Sequence, residues 1–306
     1  MECIEKMNRM TQGHYWYVRL GTLLKATFIK WNKDEAFTMA SSLSYYAIFS
    51  LPPLLLIIVS AAGKLFGKKA MEGKIAMALG EIIGPDLAYN LQLVIANSSL
   101  EKRSLASSLI SFLLLLIAAT GLLTQLQNCL DKIWKIKPRK GTAIIKILAE
   151  RIEGFLIILL IGCFFIMLLF SQNILRHLGA YFSSIRFGYT SEVVFVAKLS
   201  ISVCLLSLLF GLLLKILSNV RLSFRLIWPG ALITAILFIL GKYGLQLYLS
   251  YFNPGSAYGK ASFVIILLIW VFYSSLLILF GAEFTQVYSE NGGRKIRPNR
   301  FAKKDL

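Results

Sequence analysis

Acidic residues are scarce in this chain and histidines scarcer: 15 Asp and Glu and two His stand against 33 Lys and Arg. That scarcity bears first on catalysis. Hydrolysis of a phosphodiester relies on clustered carboxylates or histidines that hold metals, or on a general acid/base pair. Here the carboxylates are scattered, and no D-x-D, H-x-D or H-x-x-x-H occurs. His14 and His177 fall on opposite sides of the membrane in the topology derived below. Walker, dinucleotide and metal-ligand spacings are missing too, and Gly63-Lys64 and Gly67-Lys68 lack the P-loop context. The sequence therefore argues against an enzyme, a nuclease included, and calls for no metal or cofactor. The four cysteines (Cys3, Cys129, Cys163, Cys204) make no C-x-x-C. Three of them lie in or beside apolar stretches, so they read as small buried hydrophobes. The first 35 residues hold no apolar segment and cleavage site of a secretory leader, so the first membrane helix is expected to stay uncleaved.

What the chain has in excess is apolar length. Of its 306 residues 57% are hydrophobic, above the 45–50% or so of soluble domains. Charge-free runs cover Ala36–Gly63, Ser104–Leu130, Gly154–Leu175, Leu199–Leu214, Leu226–Gly241 and Ala261–Ala282. A helix needs roughly 20 apolar residues to cross a hydrocarbon core. The fourth run is short, but Lys198 and Lys215 bracket it and can snorkel to the interfaces. The fifth continues apolar beyond Lys242, through Tyr243–Phe252. Barrel strands would alternate over about 10 residues; these runs are continuous. The fold class expected is all-α: a polytopic membrane protein with six transmembrane helices and amphipathic interfacial and outer helices.

The formal net charge of +18 has two readings, nucleic-acid binding and topology. The distribution favours the second. Segments 1–35, 131–153, 215–225 and 283–306 together hold 22 Lys and Arg, whereas 64–103, 176–198 and Lys260 hold ten. Basic residues collect on the cytoplasmic side, so both termini are expected there, in a multi-pass protein of the inner (cytoplasmic) membrane. The partners expected are anionic lipid headgroups, with Arg139, Lys140, Arg221 and Arg225 as headgroup candidates, and no nucleic acid.

Organisation follows from the same reading. Residues 1–35 form a cytoplasmic amphipathic segment, 36–290 the six-helix membrane domain with an outer helical loop at 64–103, and 291–306 a basic tail, loose after Gly292-Gly293. Trp16, Leu20, Leu23, Leu24, Phe28 and Trp31 recur at spacings of three and four. They predict a helix that either lies on the membrane surface or packs under the bundle. In the loop, helices are expected near 68–83 and 85–97, with Leu87, Leu91, Val94 and Ile95 on one stripe. In the first span Ser41, Ser42, Ser44, Tyr45 and Tyr46 precede Pro52 and Pro53, which should kink the helix. Ser104, Ser107, Ser108 and Ser111 give the second span a small-residue face suited to packing within or between chains, so a homo-oligomer or a protein partner stays open.

Several ordered motifs carry a resemblance. Ala40-Ser41-Ser42-Leu43-Ser44-Tyr45-Tyr46 is followed by Phe49-Ser50-Leu51-Pro52-Pro53-Leu54. Pro229-Gly230-Ala231 opens the fifth span, and Tyr258-Gly259 precedes a last span with Trp270, Tyr273 and Gly281-Ala282-Glu283. Over residues 15–290 the chain resembles the YihY/BrkB family of integral membrane proteins, once labelled ribonuclease BN. It departs from that pattern at Lys260-Ala261-Ser262 and at Ser218-Asn219. The resemblance implies six helices and, for activity, envelope lipid or solute transport; it supplies no mechanism.

Polar residues at membrane depth mark the candidate site, because an ionisable group there is costly and tends to face a cavity or partner. Ser41, Ser44, Tyr45, Tyr46, Gln125, Asn128, Lys242 and Glu283 are the cavity or ligand candidates. Lys242 lies between Gly241 and Gly244, where a helix or an anion can approach, or else at the interface where the fifth span ends. Glu283, with Asp131, Asp34 and Glu35, suits either a polar cytoplasmic mouth or a structural clamp. The function expected is a transporter or lipid-handling protein of the cell envelope, with a polar cavity between helices. The alternative is a membrane scaffold that binds anionic lipid or a protein partner without transporting anything.

Overall fold

The computed structural model describes residues 20–50, 89, 121–138, 190–252, 262–292, 296–298 and 302–304. Within them lie six helices: α1 (20–33), α2 (36–50), α3 (121–133), α4 (Thr190–Leu217), α5 (Phe224–Phe252) and α6 (Ser262–Asn291). Four short strands accompany them: β1 (Ile136–Pro138), β2 (Val220–Arg221), β3 (Arg297–Pro298) and β4 (Ala302–Lys304).

The helical, multi-spanning class is met. Phe195–Leu217, Phe224–Tyr248 and Val264–Asn291 are each long and apolar enough to cross a membrane. They correspond to the fourth, fifth and sixth apolar runs. The first two runs are described in part, as α2 and α3, while the third run and nearly all of loop 64–103 lie outside the described residues. The fifth helix does not end at Gly241: α5 continues through Lys242 to Phe252.

Helix α5 packs between α4 and α6. Lipid tails are as apolar as leucine, so close packing rather than water exclusion must hold such helices together. At the α5–α6 crossing the sequence supplies Gly-x-x-x-Thr twice, as Gly230/Thr234 and Gly281/Thr285. A Cβ on Gly230 would overlap Thr285, and one on Gly281 would overlap Thr234. Each threonine hydroxyl donates to the glycine carbonyl one turn back in its own helix, Thr234 Oγ1 to Gly230 O at 2.9 Å and Thr285 Oγ1 to Gly281 O at 2.8 Å. The polar groups are thereby satisfied and the backbones are free to approach.

Helices α1 and α2 are one segment broken at Glu35, whose φ of 60° is left-handed. Asp34 N–H closes the last turn of α1 on Lys30 O at 2.9 Å, and Met39 N–H opens α2 on Glu35 O at 3.1 Å. Of the two expectations for the amphipathic helix, packing against the bundle is what α1 does. Leu23 joins Phe284 and Val287 of α6 in one cluster. Trp31 Nε1 donates to Leu276 O at 3.3 Å and meets Phe280 edge-on. The buried stripe differs from the expected one: Phe28 is 59% exposed and Thr27 is wholly buried. Thr27 manages this because its hydroxyl donates to Leu23 O at 2.7 Å.

Helices α2 and α3 run antiparallel. Leu122 N–H donates to Ser50 Oγ at 3.2 Å near one end, and Gln125 Nε2 donates to Ser42 Oγ at 2.9 Å nearer the other. Lys132 and Glu35 form an ion pair at 3.1 Å, both side chains more than half exposed. Exposed pairs contribute little, so Lys132→Ala is expected to change stability by less than ~1 kcal/mol, read as a melting shift within about two degrees in detergent.

The tail departs from expectation. Residues 297–298 pair antiparallel with 220–221, and 302–304 with 136–138. The stretch that reads as loose after Gly292-Gly293 has two ladders within it. Neither ladder has an alternating apolar pattern long enough to be read as a strand in advance.

Candidate functional site

Polar side chains gather where α3, the α4–α5 connection, the α1–α2 turn and the last turns of α6 come to one end of the structure. Asp131 ends α3 buried, and its carboxylate accepts from Asn219 Nδ2 at 3.1 and 2.9 Å. Gln127, one turn earlier on α3, donates to Asn219 Oδ1 at 3.4 Å. Trp134 Nε1 donates to Ser218 Oγ at 3.1 Å. Lys135, left-handed with φ 53°, turns the chain from α3 into β1. Ser218-Asn219, the pair that departs from the resembling family, thus ties the α4–α5 connection to α3.

Glu283 is the most enclosed charged residue of this region, at 0% exposure, and among the described residues neither carboxylate oxygen has a hydrogen-bond donor. It sits beside the α5–α6 crossing, two residues after Gly281. Asp34 lies within hydrogen-bonding reach of it, and Lys30 and Glu290 act on it from farther out. Lys30 Nζ is engaged with Glu290 Oε1 at 3.2 Å.

The other sequence candidates are placed as follows. Ser41 donates to Phe37 O at 2.9 Å and Ser44 to Ala40 O at 2.9 Å, so both hydroxyls serve their own helix. Tyr45 and Tyr46 are exposed, in edge-on contact with each other, and Tyr45 also meets Phe49. Gln125 bridges to α2, and Asn128 is exposed. Lys242 is half-buried, its Nζ 6.0 Å from the centre of the Tyr243 ring. Of its two flanking glycines, Gly241 does receive a neighbour: Tyr273 occupies the space a Cβ would take and donates to Leu237 O at 2.9 Å. Gly244 faces open space. Arg221 and Arg225 are exposed, and Pro52, Pro53, Arg139 and Lys140 lie outside the described residues.

The structure does not bring Lys242 and Glu283 together. Gly230 meets Gly281 whereas Gly241 meets Tyr273, so the two levels are separated by about three turns of α5, roughly 16 Å. Sequence reasoning passed over Thr234, Thr285 and Gln286, all buried. The repeated Gly-x-x-x-Thr spacing was the available signal for the first two.

A family model described as virulence factor BrkB matches residues 27–305. Among curated proteins, a UPF0761 membrane protein of Cronobacter sakazakii is 27% identical over 90% of this chain and 90% of its own length. One from Mannheimia succiniciproducens is 24% identical over 89% of this chain and 91% of its own. YfkH of Bacillus subtilis, described as a ribonuclease-like protein, is 25% identical over 86% and 93%. No solved structure matches. With the match running through nearly every described helix, from within α1 to the paired tail, the chain belongs to the BrkB family of membrane proteins.

Proposed function

We propose that this protein moves or handles a lipid or solute of the cell envelope along a polar path beside α5 and α6, in the inner membrane with both termini cytoplasmic. The observation that carries the reading is the burial of Glu283 among helices that are otherwise apolar. A wholly enclosed carboxylate without a donor is expensive in any fold, and more so at membrane depth. It adds nothing to packing that leucine would not add, so a working role is the economical account of it. Lys242, about three turns away along α5, is a second polar station, with Gln125, Asn128, Ser41, Ser44, Tyr45 and Tyr46 as candidates on α2 and α3. Two ladders place the end of α3, the α4–α5 connection and the tail on one side, which supports assigning those basic segments to the cytoplasm. The ribonuclease-like description belongs to YfkH; we read this chain as non-enzymatic.

The test is a scramblase assay with purified protein in vesicles that carry fluorescent phosphatidylglycerol, quenched from outside. Faster loss of the inner-leaflet signal than in protein-free vesicles, slowed at least tenfold by Lys242→Ala and by Glu283→Gln, is expected if lipid is the cargo. Acceleration that neither substitution touches removes these two residues from the path. Vesicle binding through the basic residues with no lipid or solute movement favours the scaffold reading instead.

A further inference from the structure

Helices α2 and α3 are inside out for helices of a membrane domain. On α2 the buried positions are Ala36, Met39, Ala40, Leu43 and Ala47, with Ser44 and Ser50 among them. The exposed ones are Phe37, Thr38, Ser41, Tyr45, Tyr46 and Phe49, so most of the hydroxyls lie outward. Helix α3 repeats the pattern: Leu123, Leu126, Leu130 and Ile133 are buried, while Thr124, Asn128 and Lys132 are exposed at every fourth position. The two outward stripes meet along one seam. Lys132 pairs with Glu35 at the end nearest α1, Gln125 Nε2 donates to Ser42 Oγ farther along, and a Cβ on Gly121 would touch the Tyr46 ring beyond that. Helix α5 supplies the comparison. Between Pro229 and Lys242 its exposed positions are Leu232, Ile236 and Leu240, the side chains that suit contact with acyl chains.

A stripe of hydroxyls and amides turned toward hydrocarbon forgoes hydrogen bonds that water would give, with nothing in return. Something polar must lie against it. A second copy of the chain fits poorly. Helices that associate in lipid do so through small residues, and the alanines of α2 are buried, leaving Phe37, Tyr45, Tyr46 and Phe49 outside. The fit is to a molecule polar on one side and apolar on the other. Phe37 and Phe49 stand at the two ends of the hydroxyl stripe, and Phe49 meets Tyr45 edge-on. Hydroxyl and amide donors suit phosphate oxygens, and the exposed Lys132 stands at the entrance. We propose that this seam holds the phosphate headgroup of a glycerophospholipid drawn from the leaflet on the Lys132 side, its acyl chains remaining in the bilayer. Tyr45 lies roughly 13 Å along α2 from Ala36. A headgroup held at that level is well inside a hydrocarbon layer whose half-thickness is about 15 Å. The assignment rests on the lipid reading above for its ligand class, but it requires no movement of lipid.

Photocrosslinking of the full chain in vesicles of phosphatidylglycerol and phosphatidylethanolamine tests this. Benzoylphenylalanine is placed at Tyr45 or at Leu240, and tandem mass spectrometry locates each adduct on the headgroup or the acyl chain. Both positions are exposed, so neither replacement enters the packed interior. Headgroup adducts should be at least tenfold more abundant from position 45 than from position 240, where acyl-chain adducts should dominate. Asn128→Leu, also at an exposed position, should lower the headgroup share from position 45 at least threefold. Acyl-chain adducts alone from position 45, or adducts to a second copy of the chain in their place, overturn the proposal. A headgroup share that Asn128→Leu leaves unchanged overturns it too. Headgroup adducts without lipid movement in the scramblase assay uphold this site and remove transport; movement with acyl-chain adducts alone does the reverse.

Discussion

Gly281→Val is expected to melt far below the wild-type protein in detergent, or to fail to accumulate in the membrane. A Cβ at this position overlaps the Thr234 hydroxyl and comes within 3.2 Å of Gly230 O. Side chains can rotate away, but a backbone carbonyl in a packed helix cannot. Overpacking a core costs about 1–3 kcal/mol. Here two helices must separate, so the upper end of that range or more applies, at least a hundredfold in the folded-to-unfolded ratio. The neighbouring positions supply an internal control. At Gly281 the first obstacle is a side chain, so Thr234→Ala should partly restore Gly281→Ala. At Gly230 a Cβ would lie 2.6 Å from Gly281 O as well as on Thr285, so Thr285→Ala should not restore Gly230→Ala. Scanning fluorimetry on the four single and two double variants decides it. Equal rescue at both sites would mean that the backbone contact does not limit the approach.

Asn219→Leu is the second large effect. It removes the amide that faces both oxygens of Asp131, and it takes the acceptor from Gln127. Hydrogen bonds to a charged group contribute ~1.5–3 kcal/mol each, so unfolding should become favoured by at least tenfold. Asn219→Asp should be worse at neutral pH, because it sets a second carboxylate against Asp131. Acidification supplies a proton that the two oxygens can share, so the deficit of Asn219→Asp relative to wild type should shrink as pH falls while that of Asn219→Leu does not. Parallel pH profiles for the two variants would show that Asp131 does not depend on this amide for its pairing.

Much of the fold could be read from the sequence because lipid imposes a simple demand: long charge-free runs. The last three runs emerge inside α4, α5 and α6, but each helix outruns its charge-free run, α4 by nine residues at its start, α5 by eleven and α6 by nine at their ends. Glu283 could be singled out for the same reason, as a carboxylate where few are tolerated. Asp34 was grouped with Glu283 by topology, but nothing in the sequence singled it out from Asp131 and Glu35. The two are remote in sequence, and their meeting depends on how α1 crosses α6, which rests on Trp31 and Leu23. The buried stripe of α1 was misread by one position, because Thr27 counts as polar until its hydroxyl is seen to bond within its own helix. The separation in depth between Lys242 and Glu283 was illegible for a different reason. Both are isolated charges in apolar helices, but hydropathy carries no information about depth along an antiparallel pair. The Gly230–Gly281 contact settles that. Asn219 drew notice only as a departure from the resembling family, since one amide in a loop has no periodic signature.

The two tail ladders have a mechanical consequence. One stretch of chain, from Arg297 to Lys304, is fastened at its start to the α4–α5 connection and at its end to the residues that follow α3. Those two attachment points cannot draw apart farther than the stretch between them allows unless a ladder unzips. The fastenings are weak: each spans two or three residues, and net contributions near 1 kcal/mol per hydrogen bond are usual. The tail therefore works as a tether with a low breaking load. It limits how far the end of α3 and the α4–α5 connection can separate, and it yields before the helices themselves are strained.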